Sequence, residues 1–343
     1  MRVESRELSF FSIFAVVKVK IIDNIIDFPQ FEAQNVFQTV EWMRLFEGED
    51  DTRVVLFTVY RGCELLMVQP IVIQRFVKWL PWRLGAYAVA WHEPWRAECI
   101  ADEEAVDAFK LMHEEIEKYC RKRALYIEYR HFSQCSIYNA QPTILSFREK
   151  CTMKYKVLPW YNIYRDFEAG EDVAEKMKRD KRRQLKQSFE AGVEVVFEPT
   201  EEHIVEWYGL LKRLYWRIHR PLPSLDVFLR LNKSGIGKVF VVVYKDRVVS
   251  GTAILYKLGN SQTTTINSQL FYDWYRASVE ERIEGIYPSV VSTWQSLQLV
   301  SDMGGGIFDF MGAGHRYKKY GVRDFKLEFG GTLTPEYRYR KIF

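Results

Sequence analysis

The feature that most constrains the fold is an order of elements that occurs twice. Val54–Tyr60 is an apolar, β-rich run, Arg61-Gly62 supplies a turn, and Leu65–Ile73 is a second run. Together they read as a β-hairpin. Lys238–Tyr244, the Lys245-Asp246 turn and Val248–Tyr256 repeat that pattern about 185 positions later. After the first hairpin, Val106, Phe109, Met112 and Ile116 recur at helical spacing, and Leu125, Ile127 and Tyr129 then alternate as a strand. After the second, Ser289–Val300 reads as a helix, Met303-Gly304-Gly305-Gly306 closes it, and Ile307, Phe308 and Phe310 form a strand. A helix precedes each hairpin, and both carry the tripeptide VEW, at Val40-Glu41-Trp42 and Val205-Glu206-Trp207. Helix, hairpin, helix, strand, occurring twice, predicts two copies of one mixed α/β module, an α+β arrangement packed around a cleft.

Length supports two cores, since 343 residues exceed what one ordinary core holds. The expected division is 1–158 and 159–332, with a final strand at 333–343 that returns to the first module. With 48% hydrophobic and 27% charged residues the chain belongs with globular proteins rather than disordered or membrane-spanning ones. A net charge of +4 permits anionic ligands without demanding nucleic acid, and DNA is not expected as a partner. All five cysteines (Cys63, Cys99, Cys120, Cys135, Cys151) fall in the N-terminal half without a CxxC pair, which reads as reduced thiols in the cytosol. The six histidines show no HxxxH spacing, so no metal is expected. Leu8–Val17 is apolar and follows Arg2 and Arg6, but it is too short to span a bilayer and is not followed by a small-residue cleavage site. A strand or an N-terminal extension is the expectation there.

Three segments could carry chemistry. Lys176–Gly192 is the densest basic run, and it reads as a helix whose buried side is marked by Met177, Leu185 and Phe189. A solvated surface is its default reading, and phosphate or tRNA contact its functional one. In Glu281–Trp294 a strand-like stretch passes through Gly285 and Pro288 into a helix, whose unpaired N–H groups can hold a pyrophosphate. Phe308–Gly331 compresses a strand, a Gly312-Ala313-Gly314 loop, a cationic stretch and a second strand. Alternation around Phe325 would set Lys326 on the face opposite Phe325 and Leu327, as a surface cation or as a group pointing into a cleft.

Five segments resemble the Fem-type, FemAB-like members of the GNAT (acyl-CoA N-acyltransferase) superfamily over roughly Phe37–Phe343. They are KRRQLKQSFEAGVEV from Lys181, LLKRLYWRIHRPLP from Leu210, YPSVVSTW from Tyr287, FDFMGAG from Phe308 and YGVRDFKLEFGG from Tyr320. The resemblance implies tandem GNAT domains and transfer of an acyl or aminoacyl group to an amine. It makes Lys326 the group that stabilises charge during transfer, with Phe325 positioning it. Tyr272, Asp273 and Trp274 would lie where GNAT proteins open their sheet for the donor. Arg282, Gly285, Tyr287 and Ser289 would hold the donor, although Tyr287 replaces the small last residue of the Q/R-x-x-G-x-G/A loop. Arg182, Arg183, Arg217 and Arg220 would meet anionic substrate groups.

No bound cofactor is implied. The co-substrate is acyl-CoA or aminoacyl-tRNA, and the lack of a long helical arm after Gly235 weakens the tRNA alternative. The acceptor would be a small-molecule or lipid-linked amine, on a peptidoglycan or other cell-envelope precursor, met in the cytoplasm or by peripheral contact with a membrane. A tandem-GNAT binding or scaffold protein without catalysis is the rival expectation. An RNA-binding protein using Lys176–Lys186 is the third.

Overall fold

A computed structural model describes residues 17–130, 155–257 and 269–343. The chain divides into two compact units, one running to Pro159 and including Glu336–Phe343, the other Trp160–Pro335. Of the Leu8–Val17 segment only Val17 is among the described residues, where it starts β1. Cys135 and Cys151 lie outside them as well, while Cys63, Cys99 and Cys120 are free thiols.

The first unit contains β1 (Val17–Ile22), α1 (Val40–Arg44), β2 (Thr52–Arg61), β3 (Glu64–Arg75), α2 (Trp82–Gly85), β4 (Ala86–Ala90) and β5 (Trp95–Arg96). There follow α3 (Asp102–Arg121), β6 (Tyr126–Tyr129) and the end of β13 (Thr332–Ile342). Its sheet runs β1-β2-β3-β4-β6-β13, with β5 beside β3. All neighbours are antiparallel except β4 and β6, the pair that α3 connects. The first hairpin turns at Gly62 and Cys63, one residue later than the sequence suggests, because Gly62 takes φ of 61° and Arg61 is still paired with Glu64. The buried face of α3, including Ala105, Phe109, Met112 and Ile116, packs on Val55, Phe57, Ile71, Ala88 and Ile127. Lys341 of β13 places its ammonium 2.6 Å from both oxygens of Glu117 on α3. Burial would raise the Glu117 carboxyl, but His113 and Lys341 outweigh it and hold the group at about 2.

The second unit contains β7 (Lys156–Phe167, entering it at Trp160), α4 (Arg179–Glu190), β8 (Glu194–Val196), α5 (Glu201–Arg217) and α6 (Leu225–Lys233). These lead to β9 (Gly237–Tyr244), β10 (Arg247–Lys257), β11 (Leu270–Ser278), α7 (Pro288–Asp302), β12 (Gly306–Asp309) and α8 (Gly321–Leu327). The sheet runs β7-β12-β11-β10-β9-β8, again with one parallel pair, β11 and β12, joined by a helix, α7. The duplication legible in the sequence is therefore a duplication of topology: hairpin, third strand, crossover helix, parallel fourth strand. The second hairpin turns at Lys245 and Asp246 with φ of 50° and 57°, the two left-handed residues of a type I′ turn.

Both VEW tripeptides lie on helices, and both tryptophans are buried. Trp207 on α5 closes down on β10 at Gly251, where an added Cβ would come 2.6 Å from the indole Cδ1. Gly251 is thus required by close approach rather than by a turn. Gly251→Ala should destabilise the protein by about 1–3 kcal/mol through overpacking. Urea denaturation would check this, and a midpoint equal to wild type would show that the indole can retreat.

Candidate active site

The site grows from the parting of two strands in the second unit. β11 and β12 pair in parallel only from Leu270–Ile307 to Tyr272–Asp309. Beyond that point β11 continues to Ser278 alongside β10 alone among the described strands. The register with β10 slips between Ala253 and Ile254, which leaves Trp274 as the extra residue of a bulge. One extra residue shifts side-chain parity, so Asp273 and Arg276, three apart, come together, with Arg276 Nη2 3.1 Å from Asp273 Oδ1. Arg276 then reaches the polar side of α7: Nη2 donates to Ser296 Oγ at 3.0 Å, Nη1 to Thr293 Oγ1, and Nε to Thr252 Oγ1 at 3.2 Å. Burial pushes the Arg276 pKa down, against the pull of Asp273.

After β12 the chain makes a sharply turned loop, with Met311, Gly312 and Gly314 all at positive φ. Met311 is not a glycine, and what holds it there is a set of short hydrogen bonds. Asp309 Oδ1 accepts from the Met311 N–H at 2.7 Å and from Asn162 Nδ2 at 2.8 Å, and Asn162 Oδ1 accepts from the Gly312 N–H at 2.7 Å. Arg323 donates to the carbonyls of Ala313 and His315, both at 2.7 Å.

Lys326 completes this loop, from a helix rather than from the strand that alternation predicts. The correction has a physical reason. Phe325 and Phe329 are four apart and their rings meet at 5.1 Å, a helical contact that the Phe325–Leu327 alternation conceals. Lys326 nonetheless turns inward: its ammonium donates to the carbonyls of Phe310, at 2.5 Å, and Gly312, at 3.0 Å. An ammonium has three N–H donors, so one remains for another acceptor. Burial lowers the Lys326 pKa to about 8, with Asp273 and Asp309 resisting and Arg276 assisting.

Phe325, the neighbour of Lys326, lines a separate cavity of about 520 Å³ at the start of α7. Arg282, Gly285, Tyr287, Pro288 and Ser289 line it too, so four of the expected donor residues do converge on one space. Pro288 occupies the first turn of α7, as a helix start favours. Gly285 takes φ of 77°, and an added Cβ there would meet nothing within 4 Å, so its conformation is what demands glycine. Tyr287 cannot offer its N–H to a ligand in this arrangement, because it donates to Ser188 Oγ at 2.9 Å. Lys181 from α4 also lines the cavity, with its ammonium 4.8 Å from the Phe325 ring centre and 3.2 Å from Glu328.

The remaining expected residues are placed elsewhere. Tyr272, Asp273 and Trp274 stand on β11 where it leaves β12, all of them buried. Arg182 and Arg183 are exposed on α4 and do not line the cavity, and Arg183 pairs with Asp180 at 3.3 Å. Arg217 pairs with Glu280 at 2.7 Å, and Arg220 is exposed. Met177 and Leu185 are buried as expected, whereas Phe189 is 39% exposed and meets Trp294 edge-on. The sequence pattern missed Arg276, Asp309, Asn162 and Lys181. Only Lys181 had a signal, its place in the basic run; Asn162 and Asp309 are 147 residues apart and no local spacing announces them. Among the described residues no group of three metal-ligating side chains occurs, and no helix is long and apolar enough to cross a membrane.

The lowered Lys326 pKa has a measurable sign. Its folded value of about 8 lies below the ordinary 10.5, so the native state sheds this proton first. Wild-type stability relative to Lys326→Met should therefore be flat below about pH 8 and rise between about 8 and 10.5. Chemical denaturation of both proteins across that range checks it, and parallel curves would mean that Nζ titrates as an exposed lysine does.

No protein family profile and no curated protein sequence matches this chain. Solved structures do. FemX superposes with a TM-score of 0.60 at 14% identity, over 93% of this chain and 94% of FemX. A tandem GNAT protein from the clavulanic acid biosynthesis pathway gives 0.55 at 10% identity, over 92% and 90%. The C-terminal domain of a putative lysylphosphatidylglycerol synthetase from Agrobacterium fabrum gives 0.52 at 14%, over 90% and 88%. With one crossover-joined parallel pair in each of two units, and these three superpositions over nearly the whole chain, the fold is that of the Fem-like tandem GNAT proteins.

Proposed function

We propose that the protein is an N-acyltransferase that moves an acyl or aminoacyl group from an activated donor to an amine. The observation that carries this reading is the Lys326 ammonium, fixed by two carbonyls where β11 leaves β12, with the adjacent Phe325 lining the cavity at the start of α7. A donor whose phosphates lie at that helix start would have room in a cavity of this size for an extended chain leading past Phe325. The acceptor amine attacks the donor carbonyl, a carbon–nitrogen bond forms, and the carbonyl oxygen gains negative charge. The free N–H of Lys326 is the donor for that oxygen. Collapse breaks the carbon–sulfur bond of a thioester or the carbon–oxygen bond of an aminoacyl ester. The proton lost by the amine ends on the departing thiolate or alkoxide, by way of water.

The co-substrate proposed is acyl-CoA or aminoacyl-tRNA. The acceptor proposed is a small-molecule or lipid-linked amine of a peptidoglycan or other cell-envelope precursor, modified in the cytoplasm. The likeness to FemX and to a lysylphosphatidylglycerol synthetase domain supports that choice. Tandem-GNAT binding without catalysis is the second reading. It is favoured by Tyr287, whose bulk and engaged N–H occupy the place of a small phosphate-binding residue.

Three measurements separate these readings. Lys326→Ala should lower kcat by about 10²–10³, the effect of one lost oxyanion donor, and leave donor affinity within about twofold. Wild-type activity should also decline above about pH 8, where the ammonium deprotonates. Unchanged turnover in the alanine variant would remove Lys326 from the chemistry. A saturating acyl-CoA should raise the melting temperature, by about 2.7 kcal/mol of added stability at a hundred times Kd, and Gly285→Val should abolish that rise. If neither acyl-CoA nor aminoacyl-tRNA shifts the wild-type transition, the binding-protein reading prevails.

A further inference from the structure

The connection from β3 to β4 in the first unit carries two tryptophans, three residues apart, that meet opposite surroundings. Trp82 is partly buried and packs against the hydrophobic core beneath α3. The guanidiniums of Arg53 and Arg75 lie 4.8 and 5.4 Å from its ring centre. Trp79 is 83% exposed, and within the same connection Leu84 is 50% and Phe76 39% exposed. Pro81 is exposed as well.

The loop is closed by its own backbone. The N–H groups of Phe76 and Val77 donate to the Gly85 carbonyl at 2.8 and 3.0 Å, and those of Leu84 and Gly85 donate to the Pro81 carbonyl, both at 2.9 Å. Arg75 reaches into it, its Nη2 donating to the carbonyls of Lys78 and, at 3.2 Å, Leu80. A Cβ added to Gly85 would come 2.4 Å from the Val77 carbonyl oxygen, so the closure requires glycine there. Fixing a chain in this way costs conformational entropy, and side chains left in water return little of it. Isolated exposed hydrophobics are ordinary, but three within the nine residues Phe76–Leu84 of one closed loop are concentrated where a partner would cover them.

Charge indicates the kind of partner. From Pro70 to His92 the chain carries Arg75, Lys78 and Arg83 and no Asp or Glu. Asp51 takes up part of that charge, pairing with Lys78 and lying 3.7 Å from Arg75 Nη1. The Lys78 side chain is nevertheless 78% exposed, and Arg83 is exposed with no ion pair among the described residues. Large apolar side chains interspersed with Lys and Arg suit a bilayer interface, where tryptophan rings sit among the headgroups and cations meet lipid phosphates. An anionic bilayer offers an apolar layer and phosphates on one surface, and so complements both components of the loop.

We propose that Phe76–Leu84 is a membrane-docking loop, which inserts Trp79 and its apolar neighbours into the headgroup region of a bilayer containing anionic lipid. Lys78 and Arg83 meet the lipid phosphates. Docking of this kind suits a lipid-linked acceptor, but it is a property of the first unit and does not depend on acyl transfer.

Cosedimentation of the full-length chain with lipid vesicles, without any donor or acceptor, tests the loop. Wild type should bind vesicles of equal parts phosphatidylcholine and phosphatidylglycerol, and bind several-fold more weakly to phosphatidylcholine alone or to the mixed vesicles in high salt. Trp79→Ala should weaken binding to the mixed vesicles by about tenfold. Arg83→Gln should weaken it by about fivefold and leave binding to phosphatidylcholine unchanged. Trp216→Ala removes a tryptophan of the second unit that is 80% exposed, and its binding should stay within about twofold of wild type. The proposal is overturned by absence of wild-type binding to the mixed vesicles, by equal binding to both vesicle types, or by a Trp79→Ala affinity equal to wild type. A loss in Trp216→Ala as large as that in Trp79→Ala would also overturn it. So would self-association without vesicles that Trp79→Ala abolishes, since the loop would then serve a second copy of the chain.

Discussion

A parallel strand pair that stops early is an unstable arrangement, because the backbone groups beyond the last pair need other partners. In the second unit that requirement falls on the stretch after Asp309, and much of what surrounds it is there to meet it. Asp309 and Asn162 secure the N–H groups of Met311 and Gly312, while Lys326 and Arg323 take the carbonyls of Phe310, Gly312, Ala313 and His315. The bulge at Trp274 on the facing strand supplies Asp273 and Arg276 to the same region. Opening the sheet and fixing the opening are one structural problem, and the same polar groups solve both.

This explains the character of α7. A crossover helix on a sheet is normally apolar along its inner side, yet α7 buries Ser292, Thr293, Ser296 and Ser301 beside Val291 and Leu297. Ser250, Ser278, Ser289 and Ser292 form a chain of hydroxyl contacts between 2.7 and 3.0 Å, and Arg276 extends that polar seam toward Lys326. The helix gives up part of its hydrophobic contact to support a buried charge. Satisfied networks of this kind rigidify a site, and partly satisfied ones are costly, so each hydroxyl is tied to the others.

The duplicated topology was legible because it depends on periodicity and turn chemistry, which are local. The Lys245-Asp246 turn, the close of α7 by glycines and the helix start at Pro288 were all read from a few adjacent residues, and all stand. Residues whose roles depend on long-range meetings were not legible. Asp273 and Arg276 come together only through a bulge, and the bulge reflects pairing with β10, which no window around Trp274 contains. Lys326 was left open between a surface cation and a group pointing into a cleft, and was set on the wrong element, since Phe325, Leu327 and Phe329 fit two periods at once. Only contact between the Phe325 and Phe329 rings decides between them.

The strand β13 has a consequence for the order in which the protein can be made. Residues 336–343 belong to the first unit, where Tyr339–Ile342 pair with β6 and Lys341 is clamped by Glu117. On a ribosome, every residue of the second unit is synthesised before that strand exists. The usual sequence of events, in which the N-terminal domain finishes first, is therefore reversed. The second unit can close while the first still presents β6 as an open edge, a template for pairing with another chain. Charge at that edge, from Glu128 and the neighbouring Arg130, discourages such pairing until its own strand arrives.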